Sequence, residues 1–255
     1  MKRLTLFVLF GLLYIVGHSQ AWKVRRYEIW GGVSAIEYFG DIGGTDAKNN
    51  LFGFRDISIL SIRPGINFGG NYRVKERIYI NLNNTLGIIT QTDKGSRNYL
   101  RDFAFNTIMD EFSLQGVYFI LKENRNYNYL NIRLRGGSKN VKRIFSVYTF
   151  AGIGGLYFKV KPKASLINSS QFVDNKSLTL TLPVGLGLKV AYSSDLSYSI
   201  EFGGRYVLSD YIDGVSTQSS KHNDLYYILN FKASYRISTG KGVKRFFRND
   251  MGSKR

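Results

Sequence analysis

Between Leu178 and Val190 the chain alternates without a break. Leu178, Leu180, Leu182, Val184, Leu186, Leu188 and Val190 share one parity; Thr179, Thr181, Pro183, Gly185, Gly187 and Lys189 share the other. A period of two is that of a β-strand with two unlike faces. Seven consecutive large aliphatics on one face exceed what a soluble sandwich strand needs. They suit a strand that faces lipid, because crossing a bilayer takes about 9–11 tilted residues.

The same pattern recurs along the chain. Leu229, Phe231, Ala233, Tyr235 and Ile237 oppose Asn230, Lys232, Ser234 and Arg236. Leu60, Ile62, Ile66, Phe68, Tyr72 and Val74 oppose Ser61, Arg63, Asn67 and Asn71. Tyr198, Ile200, Phe202, Tyr206 and Leu208 oppose Ser199, Glu201, Gly203 and Arg205. Ile78 to Ile88 and Thr107 to Leu121 alternate with more exceptions, and Tyr27 to Phe39 and Ile144 to Phe158 are rich in glycine and aromatics. The eight segments predict an all-β fold, an eight-stranded antiparallel transmembrane β-barrel of the outer-membrane type, the smallest usual size. With 18 Tyr and 18 Phe the chain has ample material for aromatic girdles.

The links fit such a barrel. Short turns are read around Lys75 and Glu76 and at Ser193 to Asp195, and long polar links at 40–57, 90–106, 159–176 and 210–225. Short turns belong on the periplasmic side and long loops outside. An even number of strands then puts both termini in the periplasm. The exception is the link at 122–143, long where a short turn is expected. It carries Lys122, Arg125, Arg133, Arg135, Lys139, Lys142 and Arg143 against one acid, Glu123. The tail at 241–255 is alike, with Lys241, Lys244, Arg245, Arg248, Lys254 and Arg255 against Asp250. Both basic segments are expected on the periplasmic side.

Residues 1–19 read as a signal peptide. Lys2 and Arg3 are the charged start, Leu4 to Gly17 the apolar stretch, and Gly17 and Ser19 the small residues before the cut. The barrel is then assigned to 20–240. The net charge of +18 falls to +16 once Lys2 and Arg3 leave with the signal. In an exported chain this balance points to outer-membrane lipid headgroups or an acidic protein, and not to nucleic acid. The absence of cysteine excludes disulfides, a lipid-modified N-terminal cysteine, thiolate metal sites and thiol catalysis.

In a barrel this narrow the inward side chains fill the lumen. The inward charged set is Arg63, Glu111, Lys189, Glu201, Arg205, Lys232 and Arg236. It reads either as an ion path or as a mutually paired polar plug, and the plug is preferred because buried polar groups require partners. An enzymatic reading rests on His222 alone, beside Ser219, Ser220 and Asp224 in one link, where nothing fixes a catalytic geometry. Asp210 and Asp213 could bind calcium, though such acids more often cap a turn. No catalytic, metal or cofactor site is therefore expected. The glycines Gly152, Gly154 and Gly155 are expected to relieve crowding within a strand.

Several stretches resemble the PorG-like outer-membrane barrels of Bacteroidetes, components of the type IX secretion system. They are Glu37-Tyr38-Phe39-Gly40-Asp41-Ile42-Gly43-Gly44, Arg101 to Phe105 with Glu111-Phe112-Ser113, Tyr148 to Gly154, Leu182 to Leu188, and Ser209 to Ser216. Gly214 stands where that family often carries a second acid. The resemblance covers roughly residues 27 to 236. It implies a non-catalytic anchoring part of the secretion machinery, associated with a periplasmic ring lipoprotein and its partner protein. Arg133, Arg135, Lys139, Lys142, Arg143, Lys244, Arg245 and Arg248 are the expected docking residues. The alternative expectation is a general structural or adhesive barrel that works through its outward loops.

Overall fold

The structure, a computed structural model, describes residues 25–40, 42–43, 61–96, 98–123, 145–172, 177–193, 195–209, 211–215 and 224–237. Within them lie eight strands: β1 (Tyr27–Phe39), β2 (Arg63–Arg73), β3 (Ile78–Thr92), β4 (Phe103–Leu121), β5 (Phe145–Ala164), β6 (Leu178–Ala191), β7 (Leu196–Val207) and β8 (Leu225–Ile237). Each pairs with its chain neighbours, antiparallel throughout, and β1 pairs with β8 to close the barrel. At the closing seam Tyr27 lies opposite Ile237, and Phe39 opposite Leu225. Closure leaves no strand of the eight at a sheet edge, which is what lets strands cross a bilayer with their backbone groups satisfied.

The two parities of β6 face opposite ways. Leu178, Leu180, Leu182, Val184, Leu186 and Leu188 are 39–72% exposed, whereas Thr181 and Lys189 on the other parity are 0% and 4% exposed. Every strand repeats this inversion of a soluble protein, with Ile29, Val33, Ile66, Phe68, Leu82, Leu114, Ile153, Ile200 and Phe231 all exposed outside. Tyr27, Tyr72, Tyr118, Tyr198 and Tyr235 ring the rim that holds the start of β1, while Tyr157 and Tyr206 stand outward near the other. Such rings sit at the two membrane–water interfaces. An apolar band between them makes this a membrane-spanning barrel.

The short turn at 74–77 and the short connection from Ala191 to Leu196 close that first rim, as expected. The far ends of the strands differ from the sequence reading. β3 runs on to Thr92, β4 begins at Phe103, and β5 continues to Ala164. Phe103, Phe105, Phe158 and Val160 alternate inward there, while Lys159, Lys161 and Lys163 alternate outward. Charge at the outward positions disguised strand as polar link.

The inward side of this far end is also apolar, contrary to a lumen that is polar throughout. Ile36, Ile89, Phe105, Met109, Leu156, Phe158 and Ile228 form a core that continues into Ile42, Leu166, Ile212 and Val215 beyond the strands. Where the strands rise past the aromatic ring, their inward residues pack against links and not against a wet lumen. Of the three glycines read as crowding sites, two fit. A Cβ on Gly152 would lie 2.2 Å from the Leu114 carbonyl oxygen, and one on Gly154 would lie 2.7 Å from Thr181 Oγ1. Gly155 points outward, with nothing within 4 Å of such a Cβ.

Candidate functional site

Half of the lumen is polar, and its charges lie in three groups along the barrel. In the innermost group, Glu111 on β4 accepts a hydrogen bond from Tyr226 Oη on β8. Arg205 Nε on β7 lies 3.6 Å from the same carboxylate, and Arg205 Nη1 donates to the Gly203 carbonyl at 2.8 Å. In the next group Lys232 pairs with Glu201, which also accepts from Tyr148 Oη at 2.7 Å. The Lys232 ammonium lies 3.8 Å from the centre of the Trp30 ring, so its charge meets a carboxylate and a π-face together.

The third group seals the rim that carries the short turns. Lys189 Nζ donates to both oxygens of Glu28 at 2.7 Å and lies 3.5 Å from Glu123 Oε1. Arg236 pairs with Glu123 and lies 3.6 Å from Glu28 Oε2. Tyr79 Oη donates to Glu123 Oε2 at 3.0 Å, and Asn71 Nδ2 donates to Glu28 at 3.0 Å. Arg73, fully buried beneath them, donates to the carbonyls of Lys75 and Glu76. Between the last two groups remains a cavity of about 20 Å³, lined by Glu28, Trp30, Lys189 and Glu201 among others. That is room for about one water and for no substrate.

Six of the seven residues read as lumen charges are thus brought together. Arg63 is the exception. It stands half-buried at the opposite end of β2, donating to the Ile62 carbonyl at 3.1 Å. Glu28 and Glu123 were missed. Glu28 follows from parity, since it lies between the outward Tyr27 and Ile29. Glu123 could not be found that way, because it lies beyond β4 in what reads as a solvated basic link. It turns back into the lumen, and residues 124–143 then hold six basic residues and no acid.

Burial opposes the charged form of Glu123, yet the Lys189 ammonium and the Arg236 guanidinium, with the Tyr79 hydroxyl, lower its pKa to about 2. An unfolded carboxyl titrates near 4.5, so the stabilisation from this group is complete above that value. It is lost as the pH falls from about 4.5 to about 2. Unfolding midpoints in detergent across that interval should fall for the wild type and fall less for Glu123→Gln. Parallel profiles would mean that Glu123 is not ionised in the fold.

At the far rim Asp93 is a fully buried acceptor for Arg101 Nε and Nη2 at 2.8 and 3.2 Å, Gly43 N–H at 3.1 Å and Phe103 N–H at 3.2 Å. Asp213 accepts from Val215 N–H at 2.9 Å, the turn-capping role weighed against calcium. Gly214 between them has φ +76°, so glycine, where the resembled family often has an acid, follows from the left-handed backbone. Among the described residues no three histidines or acids converge as a metal site. The eight docking residues, His222, Ser219, Ser220, Asp210 and the 1–19 segment lie outside the described residues.

A family model described as "Domain of unknown function (DUF6089)" matches residues 3–249. The chain belongs to that family. No curated protein matches the DUF6089 chain. Among solved structures, it is similar to Neisserial surface protein A at 8% identity, over 83% of this chain and 97% of that one, with a TM-score of 0.47. It is similar to Ail of Yersinia pestis at 12% identity, over 84% and 99%, with a TM-score of 0.43. For OprG of Pseudomonas aeruginosa the figures are 11%, 84%, 97% and 0.40. The closed eight-stranded barrel of the DUF6089 chain rests on its own strand pairing.

Proposed function

We propose that this barrel is a non-catalytic anchor in the outer membrane, exported by its 1–19 signal, with both termini in the periplasm. Its basic segments dock periplasmic ring proteins of a type IX secretion system, a ring lipoprotein and its partner protein. The observation that carries this reading is the shared origin of those segments. β4 ends at Leu121 and β8 at Ile237, and antiparallel closure puts both ends on the same rim. The charged groups plug that rim from within, so the barrel offers a rigid base and no channel. The PorG-like resemblance supports the choice of partner.

Charge complementarity with an acidic ring face fixes orientation and speeds encounter. Truncation after Gly240, combined with neutral replacements at Arg133, Arg135, Lys142 and Arg143, should leave the barrel inserted. Recovery of ring proteins in pull-downs from solubilised membranes should fall, and residual recovery should fall further with salt, since exposed charges are screened over about 8–10 Å. Unchanged recovery with normal insertion would exclude docking through these segments. The second reading, a structural or adhesive barrel using its outer loops, is favoured by the far rim, where among the described residues Asp93 and the apolar core hold the link ends. Tyr99 and Leu100, exposed in the link between β3 and β4, test it: intact pull-downs with altered surface adhesion on changing them would favour it.

A further inference from the structure

On the outer face of β5 the residues read Ile153, Gly155, Tyr157, Lys159, Lys161 and Lys163. The face changes from apolar to cationic in one step at Tyr157, which belongs to the aromatic ring at the far interface. All three lysines are exposed. Among the described residues none of them is in an ion pair with an acid. The neighbouring strand places Ile108 opposite Lys159, Asn106 opposite Lys161 and Ala104 opposite Lys163. With its amide oriented to satisfy both its oxygen and its nitrogen, Asn106 accepts from Lys163 Nζ at 2.8 Å. Two acids among the described residues flank this stretch: Asp110, one step below and opposite Tyr157, is taken by Asn84 Nδ2 at 2.7 Å, and Asp102 lies one step beyond Ala104 at the Lys163 end.

We infer that this row is a binding site for the phosphate headgroup of an anionic membrane lipid, whose acyl chains lie on the apolar face directly below. Two arguments select a lipid over other anions. The first is continuity: the row extends the lipid-facing band of β4 and β5, with Ile108 exposed beside its first lysine and Phe112, Ile153 and Tyr157 exposed beneath it. The second is dimension. Three lysines two residues apart cover roughly 13 Å of strand, or about 10 Å along the membrane normal at the usual tilt. That spans the polar layer of one leaflet, roughly 5–8 Å thick. Lysines carry long apolar stems, so their ammonium groups can also reach down to a phosphate from above.

The site holds for either orientation of the barrel, so its failure and a failure of the docking reading are separate results. The test uses the full chain in nanodiscs of equal phosphatidylcholine and phosphatidylglycerol. After mild extraction, native mass spectrometry counts the lipids retained. The wild type should keep phosphatidylglycerol in excess. The triple variant Lys159→Gln, Lys161→Gln, Lys163→Gln should lose that excess by roughly five-fold for each charge removed. The corresponding triple Lys→Arg variant should keep it. The heat-dependent gel shift of a folded barrel checks each protein, and Lys161→Gln alone carries the comparison if the triple variant fails it. Equal retention of both lipids by the wild type, or an unchanged excess in the Gln variants, would overturn the inference. Release of the retained lipid by inorganic phosphate would identify a free-anion site and overturn it as well.

Discussion

Lys189→Met is expected to destabilise the folded barrel by about 3–5 kcal/mol, the cost of leaving buried charge uncompensated. Lys189 is 4% exposed, and its ammonium donates to both oxygens of Glu28 while facing Glu123. Methionine fills similar space but leaves two carboxylates sharing Arg236, with Tyr79 and Asn71 as neutral donors. Adding Glu28→Gln should recover much of the loss, because it removes one of those carboxylates and keeps an acceptor for Asn71. Urea midpoints in detergent, read by the heat-dependent gel shift, measure both effects. A Lys189→Met midpoint equal to wild type would show that the cluster is hydrated and that the rim is not sealed.

The alternation in β6, β7 and β8 was legible because most of each strand is apolar outward and polar or glycine inward, with the inward apolar residues Val207, Tyr226 and Ile228 confined to the far end. Parity alone therefore placed Lys189, Glu201, Arg205, Lys232 and Arg236 in one lumen. It could not say which acid meets which base, since that depends on register around a closed ring. Glu28 meets Lys189, from β6, only because β1 and β6 approach across the lumen.

Legibility failed where the environment changes along a strand. β4 and β5 leave the bilayer at their far ends, so the outward parity turns polar and the inward parity turns apolar. Phe103 and Val160 then look like residues of a link, and the lysines at 159, 161 and 163 look like a solvated run. Glu123 failed for a different reason. Its position reflects a backbone that turns inward after β4, and no periodicity marks such a turn. Arg63 kept its parity but lies too near the rim to join the central groups.

Leu186→Arg tests most directly whether the chain crosses a membrane with this face to lipid. Leu186 is 58% exposed, between Thr149 of β5 and Phe202 of β7 and close to the middle of β6. An arginine there should cost about 2–4 kcal/mol if the residue lies near the bilayer midplane. The same change at Leu178, at the end of the strand, should cost about 0–1 kcal/mol. Thr181→Arg faces inward, where Thr181 is fully buried and sits close enough to Gly154 to leave no room for a Cβ there, so its cost should come from overpacking and not from lipid. Unfolding midpoints of all three in lipid vesicles, beside the wild type, give the answer. The barrel described here predicts a large loss at Leu186 and little at Leu178. Equal losses at the two positions, or none at Leu186, would contradict a lipid-facing exterior.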